Sequence, residues 1–146
     1  MTEFEGIELH THLKRHFGFT SFRPPQDQII QTLVAGGDAM VLMPTGGGKS
    51  LCYQIPAMVR HGVAIVVSPL IALMKDQVDA LRELEIRAAL INSTLAPGEQ
   101  AARMADLAAG RYDLMYVAPE RFRSPQFIEA LRHTRVQLLA VDEAHC

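Results

Sequence analysis

Eight consecutive residues, Met43-Pro44-Thr45-Gly46-Gly47-Gly48-Lys49-Ser50, hold the densest chemical signal in the chain. Glycines accept positive φ and let the backbone approach a ligand closely, so successive N–H groups can converge on phosphate oxygens. A lysine closing such a run reaches β- and γ-phosphates, and the hydroxyl after it helps hold Mg²⁺. Thr45, Gly46, Gly47, Gly48, Lys49 and Ser50 are therefore candidates for a nucleoside-triphosphate cradle, with Ser50 also a metal ligand. The strict pattern opens on glycine, and here Met43 stands in that place. A flexible glycine turn followed by an accidental Lys-Ser is the competing explanation. It weakens because a strand-like run precedes the loop and a helix-like segment follows it.

A second cluster lies near the C-terminus, where Val136-Gln137-Leu138-Leu139-Ala140-Val141 runs directly into Asp142-Glu143-Ala144-His145. An aspartate at the end of a buried strand can hold Mg²⁺, largely through water, while the glutamate polarises an attacking water. Alone, an Asp-Glu pair is more simply a solvated turn. Paired with the upstream loop, Asp142 and Glu143 become the second half of a hydrolytic site whose first half is Lys49 and Ser50.

Such groups need a scaffold that delivers them to one place. Apolar, β-branched-rich runs at Ala39–Met43, Val63–Val67, Ala88–Ile91, Leu114–Val117 and Val136–Val141 predict five strands. Helical stretches are expected near Lys49–Arg60, Leu70–Glu85, Gly98–Ala109 and Gln126–His133. Pro56 should bend or loosen the first of these. Continuous apolar strands alternating with helices predict an α/β fold, a parallel sheet with helices on both faces and right-handed crossovers. Loops at the carboxyl ends of the strands then build the ligand site. Ahead of this pattern, residues 6–17 read as a short amphipathic helix. After a loop, Pro24-Pro25 opens a second helix carrying Ile29, Ile30, Leu33 and Val34, closed by Gly36-Gly37.

The chain has 146 residues, 49% hydrophobic and 21% charged, an ordinary globular composition long enough for a real core. A formal net charge of −2 leaves no global basic footprint, so nucleic acid would have to be met by local groups. Cys52 and Cys146 are too far apart in sequence for metal-ligand spacing and form no disulfide framework, which suits a reducing cytosol. The acidic N-terminus lacks signal-peptide character, and the apolar stretch from Val63 to Met74 is too short to span a bilayer. His10, His12, His16, His61 and His133 read most simply as surface or helix residues.

Further segments fall in an ordered series. Phe17-Gly18-Phe19, Phe22-Arg23-Pro24 and Gln26 precede the glycine loop, which continues as Leu51-Cys52-Tyr53-Gln54-Ile55-Pro56. Val67-Ser68-Pro69-Leu70-Ile71-Ala72-Leu73-Met74-Lys75-Asp76-Gln77 follows, then Asn92-Ser93-Thr94, Ala118-Pro119-Glu120-Arg121 and Asp142-Glu143-Ala144-His145-Cys146. Together these resemble the RecQ family of DEAH-type superfamily 2 DNA helicases, almost from end to end. In that family the phosphate loop itself has a Met-Pro-Thr-Gly-Gly-Gly-Lys-Ser form, so Met43 does not count against nucleotide binding.

The resemblance implies a RecA-like P-loop domain that uses ATP and Mg²⁺. It divides the chain into an N-terminal helical region with an adenine-recognition segment, residues 1–37, and the first helicase domain, residues 38–146. It implies that Gln26 reads the adenine edge through its amide and that Arg23 and Phe19 sandwich the base. Without the family, Phe19 would be a core residue and Arg23 a surface charge. Ser68 and Pro69, with neighbouring amides and the start of the next helix, are implied to grip a DNA strand without reading sequence. Lys75 either adds charge to that contact or is a solvated lysine on an amphipathic helix. Arg121 either contacts DNA or holds Glu120 and its loop. His145 is implied to couple hydrolysis to DNA binding.

The expected activity of the whole protein is 3′–5′ translocation and unwinding of single-stranded, forked or junction DNA in recombination and repair. The chain stops directly after the acidic motif, so the resemblance predicts a first domain incomplete at its C-terminus. An arginine finger from a second domain is worth roughly 10³–10⁵ in turnover. These residues alone are accordingly expected to bind ATP but not to unwind. Two alternatives stay open at this stage, an RNA-directed ATPase and a non-catalytic binding fragment.

Overall fold

The computed structural model describes residues 11, 13–18, 21–22, 24–41, 49–92 and 95–142, all but the side chain of His16. The chain divides into two compact units, residues 1–61 and 62–146.

In the first unit, a π-helical turn at Leu13–Phe17 precedes α1 (Gln26–Val34) and α2 (Leu51–Val59). The peptide between Pro24 and Pro25 is cis, and α1 begins directly after it. Leu13, Ile30 and Ile55 form a small buried core, with Phe17, Phe22, Val34, Leu51, Met58 and Val59 packed around it. Phe17 and Phe22 are thus packing residues, as their apolar character suggests. Arg60 secures the packing of α2 on α1 by donating from Nη1 to the carbonyl of Leu33 at 3.1 Å.

Pro56 does not break α2. The helix runs through it, with Pro56 buried and the Arg60 amide returning to the Pro56 carbonyl at 3.0 Å. Proline removes one intrahelical donor, but here its ring lies in apolar packing. The expected first strand is a clearer correction. Residues 39–41 are not in a strand, and Met40 is 94% exposed; Leu42 and Met43 lie outside the described residues. An apolar run becomes a strand only when a neighbour satisfies its amides and carbonyls.

The second unit holds a four-stranded parallel sheet, β1 (Val63–Val67), β2 (Ala88–Ile91), β3 (Leu114–Val117) and β4 (Val136–Val141), in the order β2-β3-β1-β4. These four coincide with the strands expected from sequence. α3 (Ile71–Glu83), α4 (Pro97–Ala108) and α5 (Pro125–Arg132) connect them. A 3₁₀ turn over Pro119–Arg123, unforeseen from the hydrophobic pattern, lies between β3 and α5.

Strand periodicity sorts the core. Val63, Ile65, Val67, Ala89, Ile91, Met115 and Val117 share a buried cluster with Met104 and Leu107 of α4 and Phe127 of α5. Residues of opposite parity, including Ala64, Val66, Leu114 and Tyr116, are equally buried, as are Met74, Val78 and Leu81 of α3. Phe127 meets the edge of Phe122 in a T-shaped pair with centroids 5.5 Å apart.

The two margins of the sheet differ. At β2, the outward carbonyls of Ala88 and Leu90 accept from Arg82 Nε of α3 (2.9 Å) and from Arg103 Nη1 of α4. Two guanidinium groups thus occupy acceptors that an edge strand would otherwise present to another chain. At the other margin, among the described residues, β4 pairs with β1, and Val136, Leu139 and Val141 are 41%, 58% and 58% exposed. The expectation of a buried strand leading into Asp142 is therefore corrected. Its residues are apolar, but among the described residues β4 stands at the end of the strand order, where less of the fold covers it.

Candidate nucleotide and nucleic-acid site

Lys49 and Ser50 form the turn that enters α2, both half-buried. The Lys49 carbonyl accepts from the Cys52 amide at 3.0 Å, and the Ser50 carbonyl accepts from Gln54 at 3.0 Å. Ser50 already has helical backbone angles (φ −63°, ψ −34°), and its hydroxyl makes no capping bond. The dipole at a helix start favours anions, although here the Cys52 and Tyr53 amides already donate to Lys49 and Ser50. Gln26, first residue of α1, is 2% exposed. Thr45, Gly46, Gly47 and Gly48, like Phe19 and Arg23, lie outside the described residues.

Behind the turn, Cys52 is 4% exposed. Burial raises its thiol pKa from 9.0 to about 11, and a backbone hydrogen bond lowers it less. A thiol near a helix start ordinarily acidifies; here desolvation is the larger effect, so Cys52 is a packing residue without thiolate character.

In the second unit, parallel pairing sends every strand's carboxyl end to one margin. Ser68-Pro69, Asn92, Ala118-Pro119 and Asp142 all follow strand ends there. Asp142, half-buried, is pinned by its amide to the Val67 carbonyl at 2.8 Å, while the Ser68 amide donates to Val117 at 3.1 Å. The segment after β1 is thereby stitched to both neighbouring strand ends. Glu143 and His145 lie outside the described residues.

Ser68 is 2% exposed, and its hydroxyl accepts from the Leu70 amide at 3.2 Å. The serine shapes the turn into α3, and any phosphate there would meet backbone amides and the exposed Pro69. α3 starts without a side-chain cap, its first helical bond running from the Met74 amide to the Leu70 carbonyl. Lys75 is surface-exposed and paired with Asp79 at 2.9 Å, which raises its pKa through that hydrogen bond and charge.

Among the described residues, Arg121 bonds neither a strand-end carboxylate nor Glu120. Its Nη1 donates to Gln100 Oε1 on α4 at 2.7 Å, and its buried Nε has no partner. Gln100 was not signalled by sequence, because a polar residue in a helix's first turn is ordinary. Among the described residues, no group of three or more His, Cys, Asp or Glu side chains could hold a metal ion. A hydroxyl and a carboxylate, as in Ser50 and Asp142, are nonetheless the oxygen donors that Mg²⁺ takes alongside phosphate and water.

Residues 23–146 match the family described as DEAD/DEAH box helicase. The chain belongs to that family. Among its helicase relatives, "ATP-dependent DNA helicase RecQ" of Bacillus subtilis (strain 168) is 51% identical over 135 residues, covering 92% of this chain and 23% of its own length. The Haemophilus influenzae protein of the same name is 45% identical over 134 residues, covering 92% and 22% respectively. "ATP-dependent DNA helicase Q-like 5" of Arabidopsis thaliana is 40% identical over 146 residues, covering 99% and 16%. The chain thus spans between 16% and 23% of the length of these three relatives.

The helicase fold is also seen in a crystal structure of the DUF1998 helicase MrfA bound to DNA and AMPPNP. It covers 99% of this chain at a TM-score of 0.76 and 19% identity, so the likeness speaks to fold alone. It agrees with the α/β, RecA-like architecture expected from sequence. No helix among the described residues is long and apolar enough to cross a membrane.

Proposed function

We propose that this chain is the ATP-binding first domain of a RecQ-type DNA helicase, in which ATP hydrolysis drives 3′–5′ movement along single-stranded DNA and unwinding at forks and junctions. The whole protein is assigned by this proposal to recombination and repair inside the cell. The observation that carries it is the shared margin of Ser68-Pro69, Asn92, Ala118-Pro119 and Asp142, stitched through Val67 and Val117. The similarity to RecQ proteins over 92% of the chain supports the choice of DNA.

In this proposal Lys49 and the loop amides of Thr45 to Gly48 hold the phosphates, and Gln26 reads adenine with Phe19 and Arg23 on the faces of the base. Ser50 and Asp142 would hold Mg²⁺, whose charge would offset that of the phosphates. Glu143 orients and polarises the attacking water. His145, next but one to it, relays the state of the nucleotide toward bound DNA. The backbone after Ser68 and Pro69, together with Arg121, grips the strand through phosphate, with Lys75 adding local charge after release from Asp79. Such contacts position without reading sequence.

The test has two arms. ATP·Mg²⁺ binding by this chain, followed calorimetrically, should be lost in Lys49→Ala; unchanged affinity would remove the phosphate role. ATPase stimulation in the full-length protein should be strong with single-stranded DNA and weak with RNA. The reverse preference would assign the protein to RNA, and no stimulation by either would overturn the helicase assignment.

A further inference from the structure

Gln100 spends both ends of its amide on the two strand-end segments flanking it. Its Oε1 accepts from Arg121 Nη1 at 2.7 Å, within the 3₁₀ turn after β3. Its Nε2 donates to the Leu95 carbonyl at 2.8 Å, in the segment after β2. The orientation is set by chemistry. A guanidinium only donates and a carbonyl only accepts, so a flipped amide would oppose like partners at both ends. Leu95 is further tied to the carbonyl of Asn92 (3.3 Å), which is buried directly after β2. One side chain in the first turn of α4 therefore joins the ends of β2 and β3.

Arg121 is held, but not used up. One Nη1 bond goes to Gln100, while the buried Nε is unpartnered. A buried donor left unsatisfied is costly and calls for an explanation. A half-buried arginine aimed by a neighbour, with donors to spare, is suited to a phosphate that arrives later, since its planar fork loses little freedom on binding.

We infer that Gln100 is a positioning residue for nucleic acid, holding the Arg121 guanidinium at the strand-end margin for a backbone phosphate and making the segments after β2 and β3 respond as one. This rests on the DNA contact proposed above for Arg121. Gln100 itself touches no DNA. Its effect passes entirely through Arg121 and Leu95.

A double-mutant cycle tests this, reading the fluorescence anisotropy of labelled oligothymidylate with the protein, with thermal melting to monitor the fold. Arg121→Ala should weaken binding and reduce the slope of log affinity against log salt by about 1. Gln100→Ala should weaken binding roughly 3–10-fold, the loss expected for one aligning hydrogen bond. In the Arg121→Ala background, Gln100→Ala should cause no further loss. Gln100→Glu keeps the acceptor for Arg121 and loses the bond to Leu95, so it should restore part of the affinity, and it serves if the alanine variant does not fold.

Additive losses, or a Gln100→Ala protein that binds like the parent while Arg121→Ala binds weakly, would overturn the inference and leave the Arg121 contact standing. If Arg121→Ala binds like the parent, both the contact and the positioning role fall. If the parent binds no oligonucleotide, with or without nucleotide, the DNA assignment falls and takes this role with it.

Discussion

The Asp142 amide donates to the Val67 carbonyl at 2.8 Å, so a main-chain bond fixes the acidic end of β4 to the end of β1. The carboxylate can be changed without releasing that bond. Asp142→Ala should therefore leave the β1–β4 main-chain bond in place and the protein folded, as thermal melting would show. It should weaken Mg²⁺-dependent nucleotide binding by roughly 10–100-fold, the usual cost of losing a group that orients a metal's waters. Magnesium titration of nucleotide affinity checks this, and equal losses with and without Mg²⁺ would contradict the metal role.

Gly62 allows no side chain. It has φ +113°, and a Cβ built there would lie 2.5 Å from the Arg135 carbonyl oxygen, the acceptor of the Val63 amide. A register shift between β1 and β4 falls at the same point, where Gln137 Nε2 donates to the Gly62 carbonyl at 3.3 Å. Gly62→Ala must strain this residue or break the first rung of the ladder. It should cost about 1–3 kcal/mol, measured by urea unfolding, and an unchanged midpoint would show that the strand entry can relax.

The arginines at β2 should matter separately. Arg82→Ala and Arg103→Ala each free a strand-edge carbonyl, at Ala88 and Leu90. Each should cost roughly 1–1.5 kcal/mol. Leu90 and Ala88 accept from different helices, so the two losses should add to within about 0.5 kcal/mol. Self-association of the double variant, followed by light scattering, should rise as the edge opens.

Cys52 gives stability a defined dependence on alkaline pH. Its thiol ionises near 9.0 when unfolded and near 11 when folded. Between those values the unfolded state binds fewer protons, so stability falls as pH rises. The contribution is complete below 9.0 and lost progressively toward 11. Cys52→Ala should lack this component, so its stability relative to the parent should improve across that window in paired denaturation curves. A constant difference between the two proteins would refute it.

Much of this molecule was legible from its pattern of residues. The runs at Val63–Val67, Ala88–Ile91, Leu114–Val117 and Val136–Val141 are strands with those bounds. Strong β-branched runs between helical stretches leave a parallel sheet few alternatives. The glycine loop and the acidic strand end stood out in the sequence because phosphate and Mg²⁺ chemistry demands particular residue types at close spacing, and they remain proposals. Ala39–Val41 misled for the opposite reason: apolar character describes what a segment can bury, and pairing depends on what lies beside it.

The sequence by itself determined the four strands of the sheet, the helices between them and the DEAD/DEAH kinship, all of which are written in local runs. Tertiary structure decided that β4 ends the strand order among the described residues, that Ser68 turns its hydroxyl to its own backbone, and that Arg121 is held by Gln100. The first and last of these depend on which surfaces and donors meet from distant parts of the chain, as across the 21 residues between Gln100 and Arg121. Local residue types do not specify such meetings; they arise only when the chain has folded and each buried polar group has taken the partner within reach.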